Sequence, residues 1–242
     1  MQFNASKCKV MHIGRKNPCF SYTMGGHAPA GTVLETTDAE KDLGVIVHSS
    51  LKPTAQCAAA AKTANSVLGQ MARSFTYRSK DTWLHLYRLY VRPHLEYSVP
   101  AWSPWIEADV NLLEAVQKLA VRMTSGLAGS CYEDRLKEVN MMSLVERRQR
   151  GDMIAVWKML HGLEKVYVSK LFSRVEDYSA RSGMRSSDAM MLVPQPARLE
   201  IRKNFFTNRA VKPWNALPTH VKMSSNIDSF KLNYDKYAQS LK

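Results

Sequence analysis

The sequence predicts an α+β protein that is mainly α, because the residue pattern changes character around residues 41–53. Before this stretch, apolar residues alternate with polar ones over short, turn-rich segments; after it, they recur at helical spacing over long segments. Ser49-Ser50 favours a turn at the change, and Pro53 suits the first turn of a helix, where a missing N–H has no partner to lose. The predicted regions are a small N-terminal antiparallel β unit over 1–52, a helical bundle over 53–130, and a basic, mostly helical C-terminal region over 131–242 that is irregular over 163–190.

Short strands are predicted throughout the N-terminal region. Three are expected over 8–13, 20–24 and 32–35, and Gly25-Gly26 predicts a turn after the second of them. The alternation over 43–48 predicts a further strand, since β-branched side chains favour extended backbone. Together these strands make a unit that is too small to form a stable domain alone.

Apolar residues at helical spacing predict the helices of the other two regions. Trp83, Tyr87 and Tyr90 lie on one face of the second helix; such a stripe can stack on bases, but it is more typical of a core. Pro93 should end or kink that helix. Ser143 and Glu146 form a capping box that should open a helix ending at Gly162. The predicted helices cover 53–75, 79–92, 107–126, 132–139, 143–162, 205–214 and 228–241.

The charge balance is the most informative property of the composition. The chain has 34 Lys and Arg against 21 Asp and Glu, a formal net charge of +13. The last region alone carries twenty basic and twelve acidic side chains. Such an excess fits a polyanionic partner such as nucleic acid or an acidic membrane surface, although an ordinary basic protein also has it; nucleic-acid binding would weaken steeply with salt.

Five basic residues are candidates for contacts with phosphate groups. Lys118 and Arg122 are expected on the outer face of the third helix, together with Gln117, and that face suits either a nucleic-acid backbone or solvent. Arg147, Arg148 and Arg150 form the densest basic cluster of the chain. Three arginines so close in a helix cannot all point the same way, so only part of this cluster should meet one phosphate track.

Several function classes find no support in the sequence. Phosphate-loop, zinc-protease and nucleophile-elbow motifs are absent, and the four cysteines contain no C-x-x-C pair, so neither catalytic residues nor a metal or other cofactor is predicted. No apolar run reaches the roughly 20 residues needed to cross a bilayer. We therefore expect a protein of the nucleus or cytoplasm that is not secreted, with no membrane and no small-molecule ligand as partner.

Segments spread over nearly the whole chain resemble one protein family. They are Phe-Asn-Ala-Ser-Lys-Cys-Lys-Val-Met-His-Ile-Gly at 3–14, Met24-Gly25-Gly26, Glu-Lys-Asp-Leu-Gly-Val at 40–45, Ala-Asn-Ser-Val-Leu-Gly at 64–69, Leu-Tyr-Val-Arg-Pro-His-Leu-Glu-Tyr at 89–97, Trp-Ser-Pro-Trp at 102–105, and Arg209, Trp214-Asn215 and Leu217-Pro218. In this order they resemble the C-terminal part of the reverse transcriptase of LINE-type, non-LTR retrotransposons of the vertebrate and jockey-like kind.

The resemblance implies a role for each region. Residues 1–52 would be the end of the palm, and residues 40–51 a hairpin that supports the primer end through Leu43, Gly44 and Val45. Gly44 would be a place where the backbone comes close to a nucleic-acid end. The helical bundle would be the thumb, and the basic remainder would help hold template RNA or target DNA. The implied partner is RNA or an RNA–DNA hybrid.

The same resemblance implies that the chain is not an enzyme. Reverse transcriptases hold two metal ions with palm carboxylates, which include the paired aspartates of an Ala-Asp-Asp turn. That turn should lie upstream of Phe3, and it occurs nowhere in this chain. A transcript that begins at an internal methionine of a decayed element would explain such a start. The alternative is a non-catalytic interaction module or a functionless remnant. Without the rest of the palm, apolar faces over 8–13 and 43–47 should be exposed.

Overall fold

Helices form most of the structure, as the sequence predicts. The computed structural model describes residues 4–25, 31–127, 129–175 and 190–241. The predicted Gly25-Gly26 turn lies partly outside these residues, as does half of the region 163–190 predicted to be irregular. Within the described ranges, no helix has the length and apolar character needed to span a membrane.

The strands are shorter than predicted and pair two by two. The described strands are β1 (Lys9–Val10), β2 (Thr23–Met24), β3 (Thr32–Val33), β4 (Glu35–Thr36), β5 (Ala39–Asp42), β6 (Val45–His48), β7 (Ser173–Arg174) and β8 (Leu192–Val193). The pairs β2–β3, β5–β6 and β7–β8 are antiparallel, whereas β1 and β4 are parallel. The prediction of a wholly antiparallel N-terminal unit is therefore wrong for β1, which returns to β4 through a crossover instead of a tight turn.

Much of the N-terminal unit is exposed to solvent. Ile13, Phe20, Tyr22 and Val33 are all at least 45% exposed. The predicted exposure of the apolar faces is confirmed for Ile13 and for Leu43, and it is wrong for Val45, which is buried. Val45 belongs to β6, which packs on the first long helix and so removes this side chain from solvent.

Thirteen α-helices occur in the described part of the chain. They are α1 (Thr54–Ser74), α2 (Lys80–Leu86), α3 (Arg92–Glu96), α4 (Val99–Trp102), α5 (Glu107–Arg122), α6 (Tyr132–Glu138), α7 (Leu144–Leu160), α8 (Val168–Leu171), α9 (Glu200–Lys203), α10 (Phe206–Arg209), α11 (Val211–Asn215), α12 (Thr219–Lys222) and α13 (Ile227–Ser240). The capping box at Ser143 and Glu146 opens α7 as predicted. Gly162, with φ +72°, follows its C-terminal end.

A π-helical segment replaces the break predicted before Pro93. It covers Tyr87–Val91 and joins α2 to α3 without leaving the helix path. Proline removes one helical hydrogen bond and its ring crowds the preceding turn, so a wider turn is a reasonable solution at this place. The extra residue in that turn rotates the chain: Trp83 and Tyr87 are buried, whereas Tyr90 is 57% exposed and is not part of the core.

The first hydrophobic core runs from Val45 to Leu144 and is built by β6, α1 to α6 and the start of α7. Its centre holds a polar group that the sequence placed outside. Gln117 is fully buried: its Oε1 accepts a hydrogen bond from Tyr87 Oη at 3.0 Å, and its Nε2 donates to Tyr132 Oη at 2.9 Å. Phe75 and Leu112, whose spacing matches the apolar faces of α1 and α5, are each 40% exposed; Phe75 lies just past the end of α1.

A second core runs from Met153 to Tyr234 and is built by the second half of α7 with α10 to α13. Aromatic rings dominate it: Trp157 and Phe230 stack with their centroids 5.5 Å apart. Leu144, the first residue of α7, belongs to the first core instead. The division between the two cores therefore falls within α7, and not at the boundary between residues 130 and 131 that the sequence suggested.

One mostly buried ion pair joins the two cores. The guanidinium of Arg209 donates from Nε and Nη2 to the carboxylate of Asp152 at 2.8 and 3.0 Å. Nη2 also donates to the carbonyl oxygen of Pro100 at 3.1 Å, and Nη1 donates to that of Asn204 at 3.1 Å. Arg209 therefore connects α10 to α7 and, through Pro100, to α4 of the first core.

The Asp152→Ala variant should lose much of the stability that this connection provides. Removing one partner of a buried pair leaves the other charge uncompensated, so the free energy of unfolding should fall by about 3–5 kcal/mol. The matched control is Glu164→Ala, whose pair with Lys158 is more exposed than that of Asp152 with Arg209 and which should change the free energy by less than about 1 kcal/mol. Urea unfolding measures both, and equal effects would contradict the role given to Asp152.

Candidate nucleic-acid interface

A tight β-hairpin covers residues 39–48, within the stretch for which the resemblance implies one. Strands β5 and β6 pair in register from Ala39 with His48 to Asp42 with Val45. Leu43 and Gly44 connect them with φ values of +45° and +88°, a two-residue turn with both residues in the left-handed region. The strand predicted over 43–48 is thus wrong for these two residues, because the chain reverses there. Leu43 is 85% exposed at the tip.

Tyr97 contacts the backbone at the tip of the hairpin. Its Oη donates a hydrogen bond to the carbonyl oxygen of Leu43 at 3.0 Å. A Cβ atom added to Gly44 would lie 3.2 Å from Cε1 of the same ring. The close approach that the sequence assigned to a nucleic-acid end is made in the structure by Tyr97. Gly44 is therefore required twice, for its φ angle and for the space that the ring occupies.

The base of the hairpin is fixed to the helical bundle. The N–H of Ile46 donates to Oε1 of the buried Gln56 on α1 at 2.9 Å. At the start of α1, Thr54 Oγ1 donates to the buried carboxylate of Asp109 on α5 at 2.8 Å. Gln56 thus holds the hairpin against α1, and the bond between Thr54 and Asp109 holds the start of α1 against α5.

A groove of about 310 Å³ opens beside the hairpin. Its walls come from the hairpin and the turn after it, from α4 and the segment that follows, and from α9 to α10. We call it the hairpin groove and define it by the side chains of Leu43, Leu51, Ser98, Trp102, Trp105 and Phe205. Arg209 also lines it, so the ion pair that joins the two cores lies at the edge of this groove.

Backbone strain is concentrated around the hairpin groove. Among the described residues, five non-glycine residues have positive φ angles, and Leu43, Leu51 and Ser98 are three of them, at +45°, +55° and +52°. Residues other than glycine rarely adopt this left-handed backbone conformation, because their Cβ atom is then crowded, and each such residue costs about 1–2 kcal/mol. Such strain tends to gather at sites that bind ligands. The location of these three residues therefore marks the hairpin groove as the candidate site.

The predicted arginine cluster is largely engaged within the protein. Arg147 forms a two-pronged pair with Glu96 at the end of α3, and the hydrogen bonds to that carboxylate raise the pKa of Arg147. Arg150 donates to Asp235 on α13 at 2.6 and 2.9 Å. Arg148 is buried, burial lowers its pKa, and its Nη1 has no hydrogen-bond partner. These guanidinium groups stabilise contacts of α7 and do not form one exposed surface.

The basic side chains predicted on α5 are exposed. The ammonium of Lys118 lies 5.2 Å from the centre of the Tyr132 ring, and Arg122 occupies the last turn of the helix. Leu43, Gly44 and Val45 lie together at the hairpin, whereas Lys118 and Arg122 lie on α5. Lys52, at the edge of the hairpin groove, is a third exposed cation.

Sequence patterns did not identify the aromatic residues of the site. Tyr97 and Trp105 lie close together in the chain, but both are far in sequence from the hairpin and from Phe205, and only folding brings them together. Tyr97 and Trp105 do occur in segments that carry the resemblance, which was the one available signal. In the part of the chain that the structure describes, His, Cys, Asp and Glu side chains form no group of three suited to a metal ion.

No protein-family model, curated protein or solved structure matches this chain. The resemblance to reverse transcriptases therefore stays a prediction, which rests on the segments quoted above and on nothing else.

Two substitutions at the hairpin tip should have opposite effects on stability. Leu43→Asn should raise the free energy of unfolding by up to about 1 kcal/mol, because Asn tolerates the left-handed region. Gly44→Ala should lower it by about 1–2 kcal/mol or more, through the φ angle and the Tyr97 ring. Urea unfolding measures both changes.

A double-mutant cycle separates the two causes for Gly44→Ala. In a Tyr97→Ala background the ring is absent, so the loss should shrink to the part due to the φ angle. An unchanged loss would show that the contact with Tyr97 does not matter.

Proposed function

We propose that this chain is a non-catalytic piece of a LINE-type reverse transcriptase that binds RNA or an RNA–DNA hybrid. The observation that carries the proposal is the hairpin with its supported tip, which precedes a helical bundle in a chain of net charge +13. A hairpin followed by helices is the order in which the resemblance places the primer support and the thumb. The chain then acts in the nucleus or cytoplasm.

Two parts of the surface contribute to nucleic-acid binding. The exposed cations Lys52, Lys118 and Arg122 attract the phosphate backbone without regard to sequence. The hairpin, with Leu43 exposed at its tip, meets one end or one strand of the nucleic acid. Arg147 and Arg150 act indirectly: their ion pairs hold α7 against α3 and α13 and so maintain the shape of the surface.

A second function, as a protein-interaction module, is favoured by one observation. Ile13, Phe20, Tyr22 and Val33 leave an apolar surface exposed on the N-terminal β unit. Exposed apolar surface beside unpaired strand edges is suited to another protein chain. A protein of this second kind would associate through the N-terminal unit and would show no salt-dependent affinity for nucleic acid.

Salt dependence provides the test of nucleic-acid binding. The affinity for an RNA–DNA hybrid, measured by fluorescence anisotropy, should fall linearly on a log–log scale as salt rises, because bound cations are released. The double variant Lys118→Ala with Arg122→Ala should reduce the slope by about 1–2, or about 1 for each lost phosphate contact.

The control for this experiment is Lys158→Ala, a cation on α7 that is already paired with Glu164. It should leave both affinity and slope unchanged. The absence of any binding at low salt would contradict the proposal, and an equal effect of the control would contradict the role of the α5 pair.

Polymerase activity should be absent from the purified chain. On a primed RNA template with Mg²⁺ and deoxynucleotides, we expect no primer extension, since the paired aspartates that hold the metal ions are missing from the sequence. An active reverse transcriptase on the same template is the positive control. Metal-dependent extension by this chain would contradict the assignment.

A further inference from the structure

The hairpin groove contains the chemical groups that a nucleobase needs. Trp105 is half-buried and Phe205 is 45% exposed, so both rings contribute surface to the groove. Trp102 is buried, with its Nε1 donating to the carbonyl oxygen of Tyr97 at 2.8 Å, and provides a fixed wall. Every base has a flat π-face, and stacking on aromatic side chains is the common way in which proteins hold unpaired bases.

Polar groups that suit the edge of a base lie among these rings. The Nδ1 atom of His48 accepts the N–H of Ser50 at 3.0 Å, so the neutral ring carries its proton on Nε2 and can donate there. Asn204 donates from Nδ2 to the carbonyl oxygen of Glu200 at 2.9 Å, which leaves Oδ1 as an acceptor. Both residues line the groove, together with Ser98. A purely aliphatic ligand would have no use for these groups.

The charges at the groove favour the base of a strand over a free nucleotide. Arg209 is neutralised by Asp152, and Asp42 adds a carboxylate to the lining. Among the lining residues that the structure describes, Lys52 is then the one exposed lysine or arginine. This is too little positive charge for the phosphates of a free nucleotide. A strand whose backbone phosphates are bound elsewhere on the protein needs no cluster of cations at the groove.

The groove is held open by the fold itself. Leu43, Leu51 and Ser98 keep left-handed backbone angles, and the Tyr97 hydroxyl fixes the carbonyl of Leu43. A site that is formed before binding loses little entropy when its ligand enters. We propose that the hairpin groove is a pocket for one unpaired nucleobase of a bound RNA or DNA strand. This inference rests on the proposed function and names the part of the strand that the hairpin recognises.

The experiment uses a single-stranded RNA that carries one 2-aminopurine, whose fluorescence is quenched when it stacks. Binding of the full chain should quench the probe. Trp105→Ala and Phe205→Ala should each weaken binding by roughly tenfold and reduce the quenching, because stacking on an aromatic side chain contributes on this scale. Trp105→Phe keeps a stacking surface and should restore most of the affinity. The salt slope should stay that of the unmodified chain in all three variants.

The outcomes separate this inference from the proposal on which it depends. No binding of any strand at low salt contradicts the proposed function and the inference together. Normal binding and normal quenching by both alanine variants contradict the inference alone. If the unmodified chain self-associates and Trp105→Ala abolishes this association while strand binding stays intact, the groove binds a protein partner. That result would also overturn the inference. Thermal unfolding of each variant confirms that it is folded. Phe205 is the more exposed of the two rings, so Phe205→Ala should disturb the fold less than Trp105→Ala.

Discussion

The ion pair between Asp152 and Arg209 is the interaction on which the arrangement of the chain depends. The two hydrophobic cores are separate clusters of side chains, and Arg209 connects them by pairing with Asp152 on α7 and donating to the carbonyl oxygen of Pro100 on α4. A mostly buried guanidinium is costly unless its charge is paired and its donors find acceptors. Asp152, Pro100 and Asn204 together accept four hydrogen bonds from Arg209. The hairpin groove lies at this connection, because its walls come from elements of both cores.

Basic residues serve two purposes in this protein, and their density does not distinguish them. The closest cluster in the sequence, on α7, is used inside the fold: Arg147 and Arg150 each find a carboxylate on another helix. The more isolated Lys118 and Arg122 remain at the surface. A net charge of +13 therefore supports affinity for a polyanion, but the place of contact follows from exposure and pairing.

Local signals gave most of the fold, while contacts across the chain gave the site. The capping box at Ser143, the turn at Ser49-Ser50 and the helical spacing in α1 and α7 depend on neighbouring residues, and their outcome agrees with the sequence. Gln117 looked like a surface residue because its partners, Tyr87 and Tyr132, approach only after the helices pack. Tyr97 under Gly44 and the π segment before Pro93 are of the same kind, since both depend on packing or on backbone geometry that periodicity does not encode.

Leu43 has a consequence for the history of this chain. A leucine in the left-handed region, with most of its side chain in solvent, is a poor choice for stability alone. In a copy released from selection, random substitution would replace it without harm, and Asn or Gly would even improve the turn. A copy that still acts on nucleic acid should keep a large apolar side chain there. If the chain derives from a retrotransposon, as proposed above, the identity of residue 43 in related copies would distinguish a decaying remnant from a protein in use.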